Sequence, residues 1–491
     1  MALSAQGAST GVNLPNLGDG IEMTPAAERL LGDRVARELF RDPDYIDDPV
    51  LLDYAQGIWL RLMESARRRG ELQPELDEAY AWQILMGKDR SINAFALPGA
   101  YFGIHLGLVA AVANRDELAA VMAHEMSHVT QRHIARLMAR QGAQAPWLMA
   151  AMILGALAAS SSPQGATAVI AGGQAVAAQT QLNFSRDMER EADRVGFGVM
   201  ADAGYAPQGF VGLFEKLQQS TRLTDSGNFP YLRSHPLSTE RIADAQGRAG
   251  ALAGSPAANP GPDWEALLLG ARAKLLSDTS VDALRAWQDS AQDSAGMARR
   301  TPAQQAAQWY GASLAALKAR DWAQARLAWS RLQLLAQADP AAQRQARLLG
   351  AELALAQPGG AARALELLAP LQTDTSRAVL LLRTQAQQAL GQSALAAQTL
   401  QVWVAEHPRD ALAWQQLAVA NRAQQRPVAA IRAEAEASVA QLDYSGALQR
   451  LKAAQDLARQ RRQRDEHFEA SIVDTHIRQL EQLLREQALE R

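Results

Sequence analysis

Between Thr24 and about Gly70 apolar residues recur at helical spacing, with Thr24 placed to cap and Pro25 suited to a first turn. The pattern then changes. Tyr80 to Leu85, Asn93 to Leu97 and Tyr101 to Leu108 read as strands, and Pro98-Gly99 is a turn signal between the last two. A small sheet is therefore expected ahead of the next helix. That helix starts clearly, because Asn114 with Glu117 makes a capping box before the run Leu118 to Met122, and it is expected to continue to about Arg140. Trp147 to Gln179 is apolar and reads as a helical hairpin broken at Ser161 to Gly165, and three roles stay open for it: a core hairpin, a lid over a cleft, or a membrane-surface element giving peripheral membrane contact. Ser185 can cap a further helix that runs to Ala203 and closes at Gly204 and Pro207.

Gly250 to Pro262 is rich in Gly, Ala, Pro and Ser and reads as a linker. Beyond it Ala, Leu and Gln dominate, and helix pairs recur. Ala325, Ala364 and Ala397 lie 39 and 33 residues apart, and Pro340 and Pro408 lie 68 apart. Small residues at close helix crossings with a period of roughly 34 are the signature of tetratricopeptide repeats. Trp414 and Leu417, after Pro408, fit the opening of another unit. The concave face of such a stack usually holds a partner segment.

Composition removes several function classes. A formal charge of -3, from 49 basic and 52 acidic residues, gives no footprint for nucleic acid. The absence of cysteine excludes disulfides, thiolate metal sites and thiol catalysis. No segment reaches the roughly 18 apolar residues that a transmembrane helix needs. The first residues lack a basic and then apolar leader pattern, so the expectation is either a cytoplasmic protein or one whose signal peptide precedes this sequence. The first 23 residues read as a flexible arm.

Chemistry concentrates at His124-Glu125-Met126-Ser127-His128. Residues four apart on a helix lie about 40° apart around it and about 6 Å along it, so two imidazoles can face one ion. Neutral imidazole nitrogen suits zinc, and Glu125 is placed to hold a water beside that ion. A third ligand is needed. The metzincin arrangement is excluded, because Gln131 and Ile134 stand where it requires Gly and His. His133 is out of phase with His124 by about half a turn and reads as structural. The alternative takes a Glu from a later helix, and Glu189-Arg190-Glu191-Ala192-Asp193 supplies one. Glu189 would ligate, Asp193 would hydrogen-bond the far nitrogen of a ligand histidine, and Glu191 would be a solvated charge. Glu125 would pass a proton from the attacking water to the leaving amine. The Asn93-Ala94-Phe95-Ala96 strand, if it lies at a sheet edge beside the cleft, would bind substrate by strand addition.

Asn93 to Gly99, the His124 motif with Val129 to Arg136, and Glu189 to Asp193 resemble, in that order, the prenyl-protease and heat-shock-protease clan of zinc endopeptidases. The resemblance implies that His124, His128 and Glu189 bind one zinc ion and that Glu125 is catalytic. Ser234-His235-Pro236-Leu237, followed by Arg241, also matches the clan. It places His235 on a loop over the metal, where it either blocks the open position or assists the tetrahedral intermediate. Ala100 departs from the second Gly usual there.

The expected architecture is α+β and mostly helical. A gluzincin-type metalloprotease domain with a small sheet (24–250) is followed by a linker (251–262) and an all-α tetratricopeptide-repeat domain (263–491). The resemblance further implies a periplasmic location. Its implied partners are unfolded or misassembled outer-membrane proteins and the β-barrel assembly machinery. The rival reading is a chaperone-like repeat adaptor with a largely silent zinc site.

Overall fold

The computed structural model describes residues 23–141, 185–223, 230–251, 262–461 and 466–489. All but the last residue of the expected arm (1–23), the apolar segment 147–179 and the centre of the linker (252–261) lie outside the described residues.

The helical opening is two helices, α1 (Pro25–Arg41) and α2 (Pro49–Arg68), parted by a short strand β1 (Tyr45–Ile46). Asp42 and Asp48 each precede a proline and take extended backbone, which ends one helix and starts the next. Thr24 caps α1 through the Ala27 N–H, and Asp48 caps α2 through the Leu51 N–H at 2.9 Å. A short α3 (Pro74–Ala79) leads to β2 (Gln83–Gly87), β3 (Ala94–Leu97) and β4 (Tyr101–His105). The first predicted strand begins later than expected, because Trp82 sits in left-handed backbone at φ 47°. The last ends earlier, as α4 (Leu106–Ala111) takes over.

The sheet order is β1-β2-β4-β3, with β2 parallel to β4 and β3 antiparallel to it. Among the described residues β3 is therefore an edge strand. The Asn93 carbonyl accepts from the His105 N–H, and alternation from that bond turns the N–H and C=O groups of Ala94 and Ala96 to the free edge. One 3-10 turn, Pro98–Ala100, joins β3 to β4, with Gly99 and Ala100 both at positive φ (69° and 60°).

Helix α5 (Arg115–Thr130) runs through the centre and is buried from Glu117 to Thr130. Asn114 caps it, accepting from the Glu117 N–H at 2.9 Å. The reciprocal half of the expected box is displaced by one residue, since the Glu117 carboxylate takes the Ala113 N–H and the Lys216 ammonium instead. The helix also ends sooner than expected. Arg132 adopts φ 52°, held by Glu28 of α1, and a separate α6 (His133–Gln141) begins.

Ser185 caps α7 (Arg186–Asp202), which closes before Gly204 at φ 83°. Gly196 lets α7 lie directly on α5: a Cβ there would stand 2.9 Å from the Ala123 carbonyl oxygen. Helices α8 (Gln208–Leu223), α9 (Pro230–Ser234) and α10 (Thr239–Ala251) complete this half.

The rest is helical. In order come α11 (Trp264–Leu276), α12 (Val281–Gln292), α13 (Ser294–Ala298), α14 (Pro302–Lys318), α15 (Trp322–Ala336), α16 (Pro340–Leu355) and α17 (Ala361–Leu368). They are followed by α18 (Arg377–Ala389), α19 (Ser393–Glu406), α20 (Ala411–Ala423), α21 (Pro427–Ala440), α22 (Tyr444–Arg461) and α23 (Glu466–Leu489). From α14 onward each helix packs on the next. Ala325, Ala364 and Ala397 are buried in α15, α17 and α19, where small side chains let helices approach closely. Left-handed residues recur at the turns between helices: Arg320, Gly359, Gly391, Gln425 and Leu442.

The two halves share one hydrophobic cluster that runs from α2 through α5 into α18. Ion pairs reinforce the junction. Arg272 of α11 meets Asp48 at 2.7 Å and Glu352 at 2.8 Å, and Arg377 of α18 meets Asp47 at 2.5 Å and Asp410 at 2.8 Å.

Candidate metal centre

The predicted ligands come together. His124 and His128 project from one face of α5, their Nε2 atoms 3.0 Å apart. Glu189 arrives from α7, with Oε2 3.4 Å from His124 Nε2 and Oε1 3.4 Å from His128 Nε2. The loop after α9 brings His235, whose Nδ1 lies 3.3 Å from His124 Nε2 and 3.0 Å from Glu189 Oε1. All four residues are buried, and one ligand atom from each lies within 4.8 Å of the others.

These atoms fit a metal ion. Bonds of 2.0–2.1 Å in a tetrahedral site put neighbouring ligand atoms about 3.4 Å apart, close to the observed spacings. The donor chemistry agrees, because lone pairs of two imidazoles, a carboxylate and a third imidazole converge on one centre. Burial opposes charge on His124, but Asp193 and Glu189 prevail and raise its pKa to about 10. His128, buried and beside that cation, is pushed well below the ordinary histidine value. Burial also opposes the Glu189 charge, yet His235, His124 and His128 hold its pKa well below the usual range. Imidazoles ligate a metal in their neutral form, so metal binding there would compete with protons.

Around the four sits a supporting set. Asp193, one turn beyond Glu189, places Oδ1 2.8 Å from His124 Nδ1. Arg241 grips Asp193 through two bonds of 2.6 and 2.8 Å and also reaches Glu189 Oε2 at 2.8 Å. The same guanidinium donates to the Pro236 carbonyl at 2.8 Å, tying the His235 loop to the ligands. Tyr231 stacks on the His235 ring, with centroids 4.7 Å apart.

Glu125 faces the centre from the side. Its Oε2 accepts the Ala96 N–H at 3.1 Å, and its Oε1 lies 3.3 Å from His235 Nε2. Burial raises its pKa above the ordinary carboxylate value. The outer edge of β3 thus meets Glu125 through the Ala96 N–H. Asn93 and Phe95 make their backbone bonds inward, toward β4.

Residues 61–249 match the model of peptidase family M48. Over this stretch the chain is similar to that family. All four converging residues lie within it. Over 240 residues the chain is 36% identical to the putative beta-barrel assembly-enhancing protease of Vibrio cholerae, covering 48% of each chain. Over 244 residues it is 34% identical to the beta-barrel assembly-enhancing protease of Escherichia coli, covering 49% of this chain and 48% of that one. The mitochondrial metalloendopeptidase OMA1 of Saccharomyces cerevisiae is 28% identical over 193 residues, 38% of this chain and 52% of its own. The chain spans about half the length of the curated relatives it matches.

One residue of this matched region departs from the sequence reading. Glu191 is not a solvated charge, since its Oε2 binds His133 Nε2 at 3.1 Å and Arg136 at 2.8 Å. A run of alternating charges on a helix resembles a surface face, and only the folded position of α6 gives Glu191 partners. Tyr231 was likewise invisible, because nothing in a Pro-Tyr-Leu step signals a ring stacked on a histidine. His133 is buried as expected of a structural residue, but its Nδ1 stands 2.9 Å from His128 Nδ1.

Proposed function

We propose that the chain is a zinc-dependent endopeptidase acting on misfolded or stalled outer-membrane β-barrel proteins in the periplasm. The observation that carries the chemistry is the convergence of His124, His128 and Glu189 beside Glu125. Zinc held there lowers the pKa of a bound water to about 7 and polarises a peptide carbonyl. Glu125 accepts the proton of the attacking water and delivers it to the leaving amine. The free edge of β3 takes the substrate backbone as an added strand, which favours extended chains and weak sequence preference. Asp193 and Arg241 fix the His124 ring.

His235 gives the resting state. Its Nδ1 lies 3.3 Å from His124 Nε2 and its Nε2 faces Glu125, so the loop would shield a metal held by the ligands as well as the general base. Cleavage requires that loop to withdraw. The substrate class rests on the names of the bacterial relatives, beta-barrel assembly-enhancing proteases, and the compartment on the family resemblance of the sequence. Among the described residues no helix is long and apolar enough to cross a membrane. The helix pairs with buried Ala325, Ala364 and Ala397, and recurring left-handed turns, support a tetratricopeptide-repeat reading of the second half, as a surface for the assembly machinery.

Glu125→Gln is expected to keep one equivalent of zinc and lower cleavage of unfolded casein by about 10²–10⁴-fold. A variant that still cleaves at the parental rate overturns the mechanism. The adaptor reading is separated by His235→Ala: rising activity supports a latent protease, whereas zinc binding with no cleavage in either form supports the adaptor.

A further inference from the structure

A zinc-ligating histidine bound through Nε2 carries its proton on Nδ1, and that N–H needs an acceptor that fixes the ring and its tautomer. The two histidines of α5 solve this differently. His124 Nδ1 faces the Asp193 carboxylate, clamped by Arg241. His128 Nδ1 faces another imidazole, His133 Nδ1, at 2.9 Å. His133 Nε2 lies 3.1 Å from Glu191 Oε2, and Glu191 is held by Arg136 at 2.8 Å. His128 and His133 are both fully buried.

On an unbroken helix, residues five apart point about 140° away from one another. The break at Arg132, with φ 52°, turns α6 so that His133 returns to His128. The same turn places Arg136, one turn further along α6, beside Glu191 of α7.

We infer that His133 is a positioning residue for the metal site, a second imidazole that accepts the His128 Nδ1–H and passes the load to Glu191 and Arg136. The inference rests on the zinc reading above. In the relay His128 carries its proton on Nδ1 and His133 carries its own on Nε2. That leaves His128 Nε2 bare toward the centre. Every donor then meets one acceptor, ending on a carboxylate whose charge Arg136 balances.

The test is zinc affinity of the full chain, measured by chelator competition. His133→Phe keeps a ring of similar size without the acceptor and is expected to weaken zinc binding by about 10–100-fold. His133→Asn sets an amide oxygen near the lost Nδ1 and should recover most of that loss. Equal affinity of H133F and the parent overturns the inference, as does an H133N variant as weak as H133F. Should H133F fail to fold, nitrogen-15 spectra of the zinc-loaded parent decide: His133 protonated on Nε2 and bare on Nδ1 is expected, and the reverse tautomer overturns the relay. A parent that binds no zinc overturns the metal reading itself, and the relay with it. A parent that binds zinc through Glu189 while H133F is unchanged overturns the relay alone.

Discussion

The cluster at His124 and the cluster at Arg272 are both buried and polar, yet their charge balances differ. Around Arg272 donors and acceptors match: one guanidinium serves the Asp48 and Glu352 carboxylates and the Tyr310 hydroxyl. Nothing there lacks a partner that an ion would supply. Around His124 acceptors outnumber donors. Two imidazole nitrogens of α5, Glu189 and His235 Nδ1 converge, and Arg241 donates to Glu189 Oε2 from one side. Burial alone therefore does not mark a binding site. An excess of lone pairs aimed at one point does, because only a cation resolves it.

The strongest way to break this comparison is to unbalance the matched cluster. Arg272→Ala leaves Asp48 and Glu352 facing each other and is expected to cost about 3–5 kcal/mol in urea unfolding. The loss should be equal with and without zinc. An Arg272→Ala chain that folds normally but no longer binds zinc would show the clusters to be one unit.

Metal removal probes the other cluster. Zinc at about 100 times its dissociation constant should stabilise the parent by about 2.7 kcal/mol, read as a melting shift reversed by chelator. Glu189→Ala is expected to abolish that gain. A Glu189→Ala melting shift equal to the parent's would place the ion elsewhere.

A third, smaller effect lies at the junction. Burial raises the Asp53 carboxyl from the ordinary 3.8 to about 6, against the Ala378 N–H, Arg344 and Arg377 and with help from Asp374. The folded chain holds this proton at pH values where the unfolded chain has released it. Its contribution to stability therefore falls as pH rises from about 4 to about 6. Asp53→Asn removes that fall and should gain about 2 kcal/mol over the parent near pH 7.5, but not near pH 4. Unfolding curves at both pH values check the sign.

The smallest effect concerns the turn beside the edge strand. Ala100 sits at φ 60°, where an L side chain is strained, and follows Gly99 at φ 69°. Ala100→Gly is expected to stabilise the chain by up to about 1 kcal/mol, since relief of strain exceeds the added freedom of the unfolded chain. A thermal midpoint unchanged or lowered would mean that the turn carries no strain.

Much of the site was legible before any coordinates. The spacing of His124 and His128 follows from helix geometry, and Glu189 with Asp193 follows from what a third ligand and its support require. The caps at Thr24, Asn114 and Ser185 announced their helices because capping is local hydrogen bonding between residues three apart. Strand ends were less legible, since the backbone of Trp82 is set by packing around it rather than by its own preference.

Sequence by itself determined the residue types that gather at the site, their helical phase and the chain's lack of thiol chemistry, because these depend on side-chain chemistry and short-range periodicity. Tertiary structure alone decided that Arg132 would break α5 and turn His133 back onto His128. It also gave Glu191 two partners, His133 and Arg136, and set His235 between His124 and Glu125. The physical reason is range. A helix fixes the angle between neighbours four apart, whereas these contacts depend on how α1, α6, α7 and the His235 loop pack around α5.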